Sequence, residues 1–347
     1  MMPSSMSVTD GISVVIPMLD EQDNVAPLLD ELHSTMNEHF EKYELIIVDD
    51  GSSDSTYAQL QSSQDSLPDL PLRVLRHRDS FGQTAALATG LSVVQGHVVV
   101  TLDGDLQNDP ADIPALVERL VESADVVCGW RRHRQEGPIR SIPSRLAAWV
   151  IGRLTGLDIH DVGCTLRAYR REIVADLDLW GEMHRFIPAL CLAVGARVAE
   201  MEVRHRPRTQ GATKYGRTGL RRLFRVIPDL VTLSVVSRYR GRPIRVYGWW
   251  GIGALVAAVL TAATAGLAGA ETGIAVGLCL CLLYAGVVLI GIGAGAELSA
   301  RAYAAATGAR PGYVREEYRS AAWSRLWEPQ PGEQTGRAGG TAGPEAS

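Results

Sequence analysis

The chain has 347 residues, of which 46% are hydrophobic and 21% charged, enough for one large domain or two ordinary ones. The net charge is −5, yet residues 204–245 hold twelve arginines or lysines against one acidic residue, Asp229. Two apolar runs follow this basic block directly, so it favours an anionic membrane surface over nucleic acid as a partner. The five cysteines have no zinc-site spacing and are predicted to be reduced.

Short β-branched runs alternate with helical patterns in the first half of the chain. Strands are predicted at Ile12–Pro17, Tyr43–Val48, Leu72–Leu75, Val98–Leu102 and Asp125–Gly129. Helices are predicted around Leu28–Leu32, at Thr84–Val94 and at Ile113–Glu122. This alternation predicts an α/β fold with a mostly parallel sheet and helices on both faces.

Polar clusters follow three of these predicted strands. MLDE follows the first strand, DDGSSD the second and DGDLQ the fourth. Ligands of open parallel sheets bind beyond the carboxyl ends of the strands, so the clusters indicate one ligand site. Asp49 and Asp50 either cap the next helix or accept hydrogen bonds from a nucleotide's base or ribose.

Asp103, Asp105 and Gln107 alternate after the fourth predicted strand. An extended backbone would put these three side chains on one side. Carboxylates and an amide oxygen form the sparse ligand set of a divalent cation that also binds phosphate and water. The alternative is a polar turn in which Asn108 or Asp109 caps the helix that begins near Pro110.

Arginines are frequent after the fifth predicted strand. Arg131 directly follows that strand, and Arg140 and Ser144 have the i, i+4 spacing of one helix face. The alternative is a solvated basic helix. Further on, Asp161 lies in a polar turn and is a candidate site residue, with Arg167 as a candidate partner. The alternative is that Asp161 is only a turn or capping residue.

Two long apolar runs, Val246–Ala270 and Gly273–Ala296, contain no charged residue and each exceeds the roughly 20 residues that span a bilayer. They predict a hairpin of two membrane spans, preceded by amphipathic helices in the membrane interface. Arginines flank the outer ends, so the positive-inside rule predicts a cytoplasmic catalytic domain and cytoplasmic termini. The many small residues permit a homo-oligomer. A short interfacial helix is expected at Tyr318–Trp327.

The succession VVIPMLDE, IIVDDGSSDST, FGQTAALATG and TLDGDLQNDP resembles inverting nucleotide-sugar glycosyltransferases with a GT-A fold. More narrowly, it resembles the polyprenyl-phosphate (dolichol-phosphate type) glycosyltransferases of family 2, from about Ile12 to Ser237. The sequence departs from the family pattern at MLDE, where an aromatic-Asn-Glu is commoner, at Ser80, where Asn is frequent, and at Gly104, where Ala is usual.

The resemblance implies roles for matching residues. Those matching nucleotide-sugar-binding positions are Pro17, Glu21, Asp49, Asp50, Asp103, Arg208 and Lys214. Those matching the binding site of the acceptor phosphate are Arg131, Arg140 and Ser144. Asp105 and Gln107 match ligands of Mg²⁺ or Mn²⁺ on the diphosphate, with Asp105 also counted as catalytic, and Asp161 matches the position usually treated as the catalytic carboxylate.

The implied organisation is a disordered start (1–10), a GT-A domain (11–216), juxtamembrane helices (217–245), two spans (246–270 and 273–296), a cytoplasmic segment (297–327) and a disordered tail (328–347). The implied reaction is inverting transfer of one sugar from a UDP- or GDP-linked hexose to undecaprenyl or decaprenyl phosphate at the cytoplasmic membrane face. A phosphate monoester, with a second pKa near 6, hardly needs a general base, so Asp161 is expected to orient the acceptor or the sugar.

Two alternatives to this function remain open at the level of sequence. One is a family 2 transferase whose acceptor is a hydroxyl group of a glycolipid or polysaccharide, which would need a base. The other is a non-catalytic membrane-anchored scaffold that retains a nucleotide-binding fold.

Overall fold

One mixed sheet with helices on both faces forms the centre of the molecule. A computed structural model describes residues 11–132, 152, 156–175, 177, 179, 183–207, 243–268, 272–306 and 314–327. The strands are β1 (Ile12–Met18), β2 (Tyr43–Asp49), β3 (Leu72–His77), β4 (Val98–Thr101), β5 (Val126–Trp130), β6 (Arg167–Arg170), β7 (Val198–Glu202) and β8 (Val314–Arg319). The helices are α1 (Gln22–His39), α2 (Thr56–Ser66), α3 (Gln83–Leu91), α4 (Ile113–Ser123), α5 (Arg171–Ala175), α6 (Ile187–Ala193), α7 (Pro243–Ala268), α8 (Thr272–Ala306) and α9 (Ala321–Trp327).

The strands run in the order β7-β5-β6-β4-β1-β2-β3-β8. Neighbours are parallel except where β6 inserts between β4 and β5 and where β8 pairs with β3. The carboxyl ends of six strands and the amino end of β6 therefore meet at one edge of the sheet. The predicted α/β fold is confirmed, and all five predicted strands are present.

The sheet is buried on both faces because its central strands are continuous apolar runs. Val14 and Ile16 pack with α1, α2 and α4, whereas Val15 packs with α3 and α6 on the other face. This alternation follows from the two-residue period of a strand. Both core clusters consist of apolar residues. The polar residues at the carboxyl edge are therefore not part of the core packing and can form a site.

Helices α7 and α8 form an antiparallel hairpin. Windows Tyr247–Ala265 and Gly273–Ala296 are long and apolar enough to cross a membrane, and most of each window is exposed. A Cβ added at Gly251 would lie 2.6 Å from Ile290 Cγ1 and 2.8 Å from the carbonyl oxygen of Gly286. Glycine therefore lets the two helices approach closely.

The chain returns to the sheet after this hairpin. Strand β8 pairs antiparallel with β3, and Ser320 Oγ accepts hydrogen bonds from the backbone N–H groups of Leu72 and Trp323, both at 3.0 Å. The short interfacial helix expected at Tyr318–Trp327 is thus a strand end followed by α9, docked on the domain. The charged strand β8 covers the edge of β3, which would otherwise expose unpaired backbone groups.

A buried carboxylate fixes α9 to the sheet. Glu44 has no exposed surface; its Oε1 accepts from Ser13 Oγ at 2.5 Å and from the backbone N–H of Gln95 at 2.7 Å. Its other oxygen accepts from the indole N–H of Trp323, which is itself buried. The segment 297–327 therefore contributes a strand and a helix to the domain that begins at residue 11.

We expect Trp323→Phe to destabilise the protein, because it keeps most of the ring but removes the donor to buried Glu44. Loss of a hydrogen bond to a charged, buried group costs about 2 kcal/mol, which should lower the thermal midpoint by roughly 5 °C. Thermal unfolding of the full chain in detergent measures this. Arg325→Ala on the exposed side of the same helix is the matched control and should change the midpoint little. Equal midpoints for Trp323→Phe and wild type would contradict a stabilising role for this bond.

Candidate active site

The polar clusters predicted from the sequence meet at the carboxyl edge. Reading along the sheet, this edge holds Arg131 after β5, the turn before β6, Asp103 after β4, the MLDE loop after β1 and the Asp49 end of β2. Neighbouring strands lie about 5 Å apart, so the groups form one continuous row.

Asp103 lies at the centre of this row and is held from two sides. Its Oδ1 accepts from Gln83 Nε2 at 2.7 Å and its Oδ2 from Thr165 Oγ1 at 2.7 Å. Burial first, and then the negative charge of Asp105, raises the pKa of Asp103 to about 6. Two neighbouring carboxylates of which one resists ionisation form a place where a cation would be stabilised.

The loop after Asp103 suits a divalent cation. The backbone does not stay extended, because Gly104 and Asp105 form a turn and Leu106 has a φ of 61°. The Gln107 backbone N–H donates to Asp105 Oδ1 at 3.2 Å, which folds the loop over that carboxylate. No cluster of three or more His, Cys, Asp or Glu suited to a metal occurs in the described part of the chain. The candidate metal ligands are the carboxylates of Asp103 and Asp105 and the amide of Gln107. So few protein ligands would leave coordination positions for phosphate and water.

Gly104, the departure from the family pattern, has a local explanation. A Cβ added at Gly104 would lie 2.8 Å from Met18 Cγ and 2.9 Å from Met18 Cε. Met18 therefore fills the space that an alanine methyl group would need. The loop keeps its packing against the end of β1, next to Pro17.

The loops after β1 and β2 are joined to each other. The Glu21 backbone N–H donates to Thr56 Oγ1 at 2.9 Å, and Asp20 Oδ1 accepts from the Ser53 backbone N–H at 2.7 Å. Asp49 Oδ1 accepts from the Ser52 backbone N–H at 3.0 Å. Asp49 Oδ2 is buried and accepts no hydrogen bond among the described residues, but Arg76 Nε lies 3.4 Å away and forms an ion pair with it.

Asp50 faces into the protein. Its carboxylate accepts from Ser80 Oγ at 2.9 Å and from the backbone N–H groups of Phe81 and Gly82 at 3.0 and 2.8 Å, and His77 Nδ1 lies 2.7 Å away. Burial opposes its ionisation, but these hydrogen bonds outweigh burial and lower the pKa of Asp50. Both oxygens are used within the protein, which favours a positioning role over a direct bond to a nucleotide.

The loop after β2 also requires a glycine at its next residue, Gly51. Gly51 has a φ of +74°, and an added Cβ would lie 2.5 Å from the carbonyl carbon of Asp79. Close approach of the two loops places Gln83, the first residue of α3, where it donates to Asp103.

Arg131 and Asp161 form a bidentate ion pair beside the acidic row. Arg131 Nε donates to Asp161 Oδ2 at 2.7 Å and Nη2 to Oδ1 at 3.1 Å. Both side chains are largely buried, with 14% and 6% exposed. The expected pairing of Asp161 with Arg167 is wrong, because Arg167 donates to the carbonyl oxygens of Val162 and His184 instead. Two hydrogen bonds to one guanidinium hold the Asp161 carboxylate in a fixed orientation.

Four predicted site residues, Arg140, Ser144, Arg208 and Lys214, lie outside the described residues. The chain leading to two of them is described as far as 207. Arg206 pairs with Asp109 at 2.9 Å and with Glu31 at 2.8 Å, and its backbone N–H donates to the carbonyl oxygen of Gln107 at 2.9 Å. The segment that ends at residue 207 is thus bound to the loop of Asp105 and Gln107.

Sequence reasoning did not assign Gln83 and Thr165 to the site. Gln83 lies within FGQTAALATG, so the motif contained a signal for it. Thr165 had no local signal, because its contact with Asp103 depends on the insertion of β6 beside β4.

Comparison with known proteins identifies the family of the chain. The family described as "Glycosyl transferase family 2" matches residues 13–178. The dodecaprenyl-phosphate galacturonate synthase of Rhizobium johnstonii is 42% identical over 246 residues, 70% of this chain and 72% of that protein. The undecaprenyl-phosphate 4-deoxy-4-formamido-L-arabinose transferase of Pseudomonas aeruginosa is 35% identical over 301 residues, 85% of this chain and 86% of that protein.

Among solved structures, glucosyl-3-phosphoglycerate synthase from Mycobacterium tuberculosis, in complex with Mn²⁺, uridine diphosphate and glucosyl-3-phosphoglycerate, has a TM-score of 0.48 at 20% identity. The match covers 65% of this chain and 79% of that one. The family match and the sequence relatives show that the chain belongs to glycosyltransferase family 2 and that it is a glycosyltransferase.

A buried histidine behind the site makes stability depend on pH. His184 Nδ1 lies 2.8 Å from Thr84 Oγ1, next to Gln83. Burial first, and then the positive charges of Arg185 and Arg167, lowers the pKa of His184 to about 3. Below about pH 6.5 the unfolded chain binds a proton at this residue that the folded protein does not bind, so stability falls as the pH drops.

We expect this effect to reach about 2 kcal/mol at pH 5. The fall in thermal midpoint between pH 7 and pH 5 should be smaller in His184→Gln than in wild type, by roughly 5 °C. His39→Gln, at an exposed helix end, is the control and should retain the wild-type dependence. An equally steep fall in His184→Gln would refute the assignment.

Proposed function

We propose that this glycosyltransferase moves one sugar from a UDP- or GDP-linked donor to polyprenyl phosphate, with inversion at the anomeric carbon. The observation that carries the proposal is the arrangement at the sheet edge, where the acidic loop of Asp103 and the Arg131–Asp161 pair are neighbours. A diphosphate leaving group and an attacking phosphate would then lie on opposite sides of one sugar, as a single in-line displacement requires. The names of the two sequence relatives support the acceptor class.

The donor half consists of the loops after β1, β2 and β4. Buried Asp49 Oδ2 pairs with Arg76 Nε at 3.4 Å but accepts no hydrogen bond from the described residues, so it can still accept one from the base or ribose of a nucleotide. Asp105 and Gln107 would hold Mg²⁺ or Mn²⁺ beside Asp103. A bound cation offsets the charge that develops on the leaving diphosphate. Pro17 and Glu21 lie at the end of β1 and in the loop that follows it, and Arg208 and Lys214 follow Arg206 in the sequence.

The acceptor half contains Arg131, with Arg140 and Ser144 as further ligands. Asp161 occupies Nε and Nη2 of Arg131, while Nη1 makes no hydrogen bond to the described residues. The guanidinium plane is thereby fixed with one nitrogen available, and a phosphate oxygen is a suitable acceptor for it. Asp161 acts by orientation here, because the ionised phosphate is already a nucleophile.

The path of the chain supports the proposed membrane orientation. Strand β7, which precedes α7 in the chain, and strand β8, which follows α8, belong to the same sheet. A hairpin that crosses a membrane twice satisfies this constraint, since both of its ends emerge on one side. The flanking arginines make that side the cytoplasm, where nucleotide-sugars are available. A homo-oligomer of the hairpin stays a prediction.

The test incubates detergent-solubilised protein with undecaprenyl phosphate, Mg²⁺ or Mn²⁺ and radiolabelled UDP- and GDP-sugars. The panel includes UDP-galacturonic acid because of the relative from Rhizobium johnstonii. One labelled, acid-labile lipid is expected from one donor. Label in a neutral glycan would move the assignment to a hydroxyl acceptor. No transfer and no nucleotide release by folded protein would favour the scaffold.

Asp105→Asn tests the metal assignment. We expect at least a hundredfold loss of metal-dependent transfer with little change in thermal midpoint, because the residue lies in a partly exposed loop. Asp30→Asn removes the same charge from the exposed face of α1 and should leave activity unchanged. Activity of Asp105→Asn within a few-fold of wild type would exclude Asp105 as an essential ligand.

A further inference from the structure

We propose that Glu200 is a positioning residue that holds the Arg131–Asp161 ion pair in place for the acceptor phosphate. The inference rests on the proposed function, because it assigns Glu200 to the acceptor half of that site. Neither the sequence motifs nor the reaction chemistry requires a carboxylate at this position on β7. Its contacts require an explanation.

Glu200 binds the two residues at the start of the Asp161 turn. Its Oε1 accepts from the backbone N–H groups of His160 and Asp161, both at 2.9 Å. Its Oε2 lies 2.8 Å from His160 Nδ1 and 3.0 Å from the His160 backbone nitrogen. The Glu200 side chain is only 11% exposed, so these bonds are largely shielded from water.

The turn is held from a second direction by ring stacking. The His160 ring lies parallel to that of Trp130, with 4.3 Å between centroids and 17° between planes. His160 directly precedes Asp161, and Trp130 directly precedes Arg131. The residues in front of both members of the ion pair are therefore stacked on each other, and Glu200 fixes one of them.

The sheet explains why this glutamate can reach the turn. Strand β7 is the outer neighbour of β5, and Glu200 pairs with Cys128 while Glu202 pairs with Trp130. Glu200 thus stands beside the last residues of β5, where Arg131 follows. The backbone N–H groups at 160 and 161 lie in a turn without a strand partner, and one carboxylate satisfies both.

This arrangement predicts a selective effect on the acceptor. Without Glu200, the turn loses the bonds that fix Asp161, and the guanidinium of Arg131 loses its fixed plane. The proposed donor contacts at Asp49, at the end of β2, and at Asp105, in the turn after β4, are separate from β7 and should be retained. Misplacement of a binding group by about 1 Å can cost up to a hundredfold in rate.

The experiment compares Glu200→Ala and Glu200→Gln with wild type in the full chain, in detergent. We expect Glu200→Ala to raise the KM for undecaprenyl phosphate at least tenfold, with the KM for the nucleotide-sugar within twofold of wild type. Glu200→Gln should recover much of the loss, because its amide oxygen still accepts from the backbone N–H groups. Glu202→Gln, two residues along the same strand and half exposed, is the matched control and should leave both KM values unchanged.

A second pair of variants separates the two supports. His160→Phe keeps a ring on Trp130 but removes Nδ1, whereas His160→Ala removes both contacts, so the larger rise in acceptor KM is expected for His160→Ala. Equal loss toward donor and acceptor in Glu200→Ala, accompanied by a lower thermal midpoint, would reduce Glu200 to a structural residue and overturn the proposal. Transfer by wild type to a hydroxyl acceptor would instead overturn the proposed function. If Glu200→Ala then raised only the KM for that acceptor, the positioning role of Glu200 would still be supported.

Discussion

The partial burial of Asp103 is the constraint on which the rest of the site depends. A carboxylate shielded from water is tolerated only when its oxygens are hydrogen-bonded or its charge is offset. Gln83 and Thr165 supply the hydrogen bonds, and each belongs to a different element, α3 and the turn before β6. Gln83 in turn depends on the loop that Asp50 holds. A charge that costs free energy in the unliganded protein is a charge that a cation can stabilise on binding, so the same burial that needs these supports also favours the metal-bound state.

Strand β6 joins the proposed donor half of the site to the proposed acceptor half. A purely parallel sheet would place β5 directly beside β4, and the Asp161 turn would have no position between them. Because β6 runs antiparallel between these strands, its amino end reaches the functional edge with Thr165 toward Asp103 and Asp161 toward Arg131. One five-residue stretch therefore contacts both halves, and a shift of this stretch would change the distance between leaving group and nucleophile.

The sequence predicted what depends on local pattern. Apolar runs ending in MLDE, DDGSSD and DGDLQ indicated parallel strands with a polar edge, because strand period and strand ends are visible in a few residues. Glu200 was not predictable in this way: it lies 40 residues from His160, and nothing local to VAEME marks one glutamate as buried. Strand β8, VREEYR, was missed for a related reason, since its pairing on the β3 edge requires no apolar period. Asp50 illustrates the opposite case, in which a motif position was recognised but its carboxylate turned out to face the protein.

The return of the chain to the sheet links catalysis to the membrane. If β8 and α9 were free, the domain would be attached to the hairpin only through the segment that precedes α7, and its edge could tilt relative to the bilayer. With β8 paired to β3 and Trp323 bound to buried Glu44, the domain is connected to both outer ends of the hairpin. Helix α8 has 35 residues, so at 1.5 Å per residue it is about 52 Å long and exceeds a hydrocarbon core of about 30 Å. A helix of this length extends beyond such a core, and two chain connections would restrict the height and angle of the carboxyl edge relative to a membrane more than one does. An enzyme with the proposed function, which joins a water-soluble donor to a lipid phosphate, would need that restriction, because the acceptor phosphate would stay at the depth of the membrane interface.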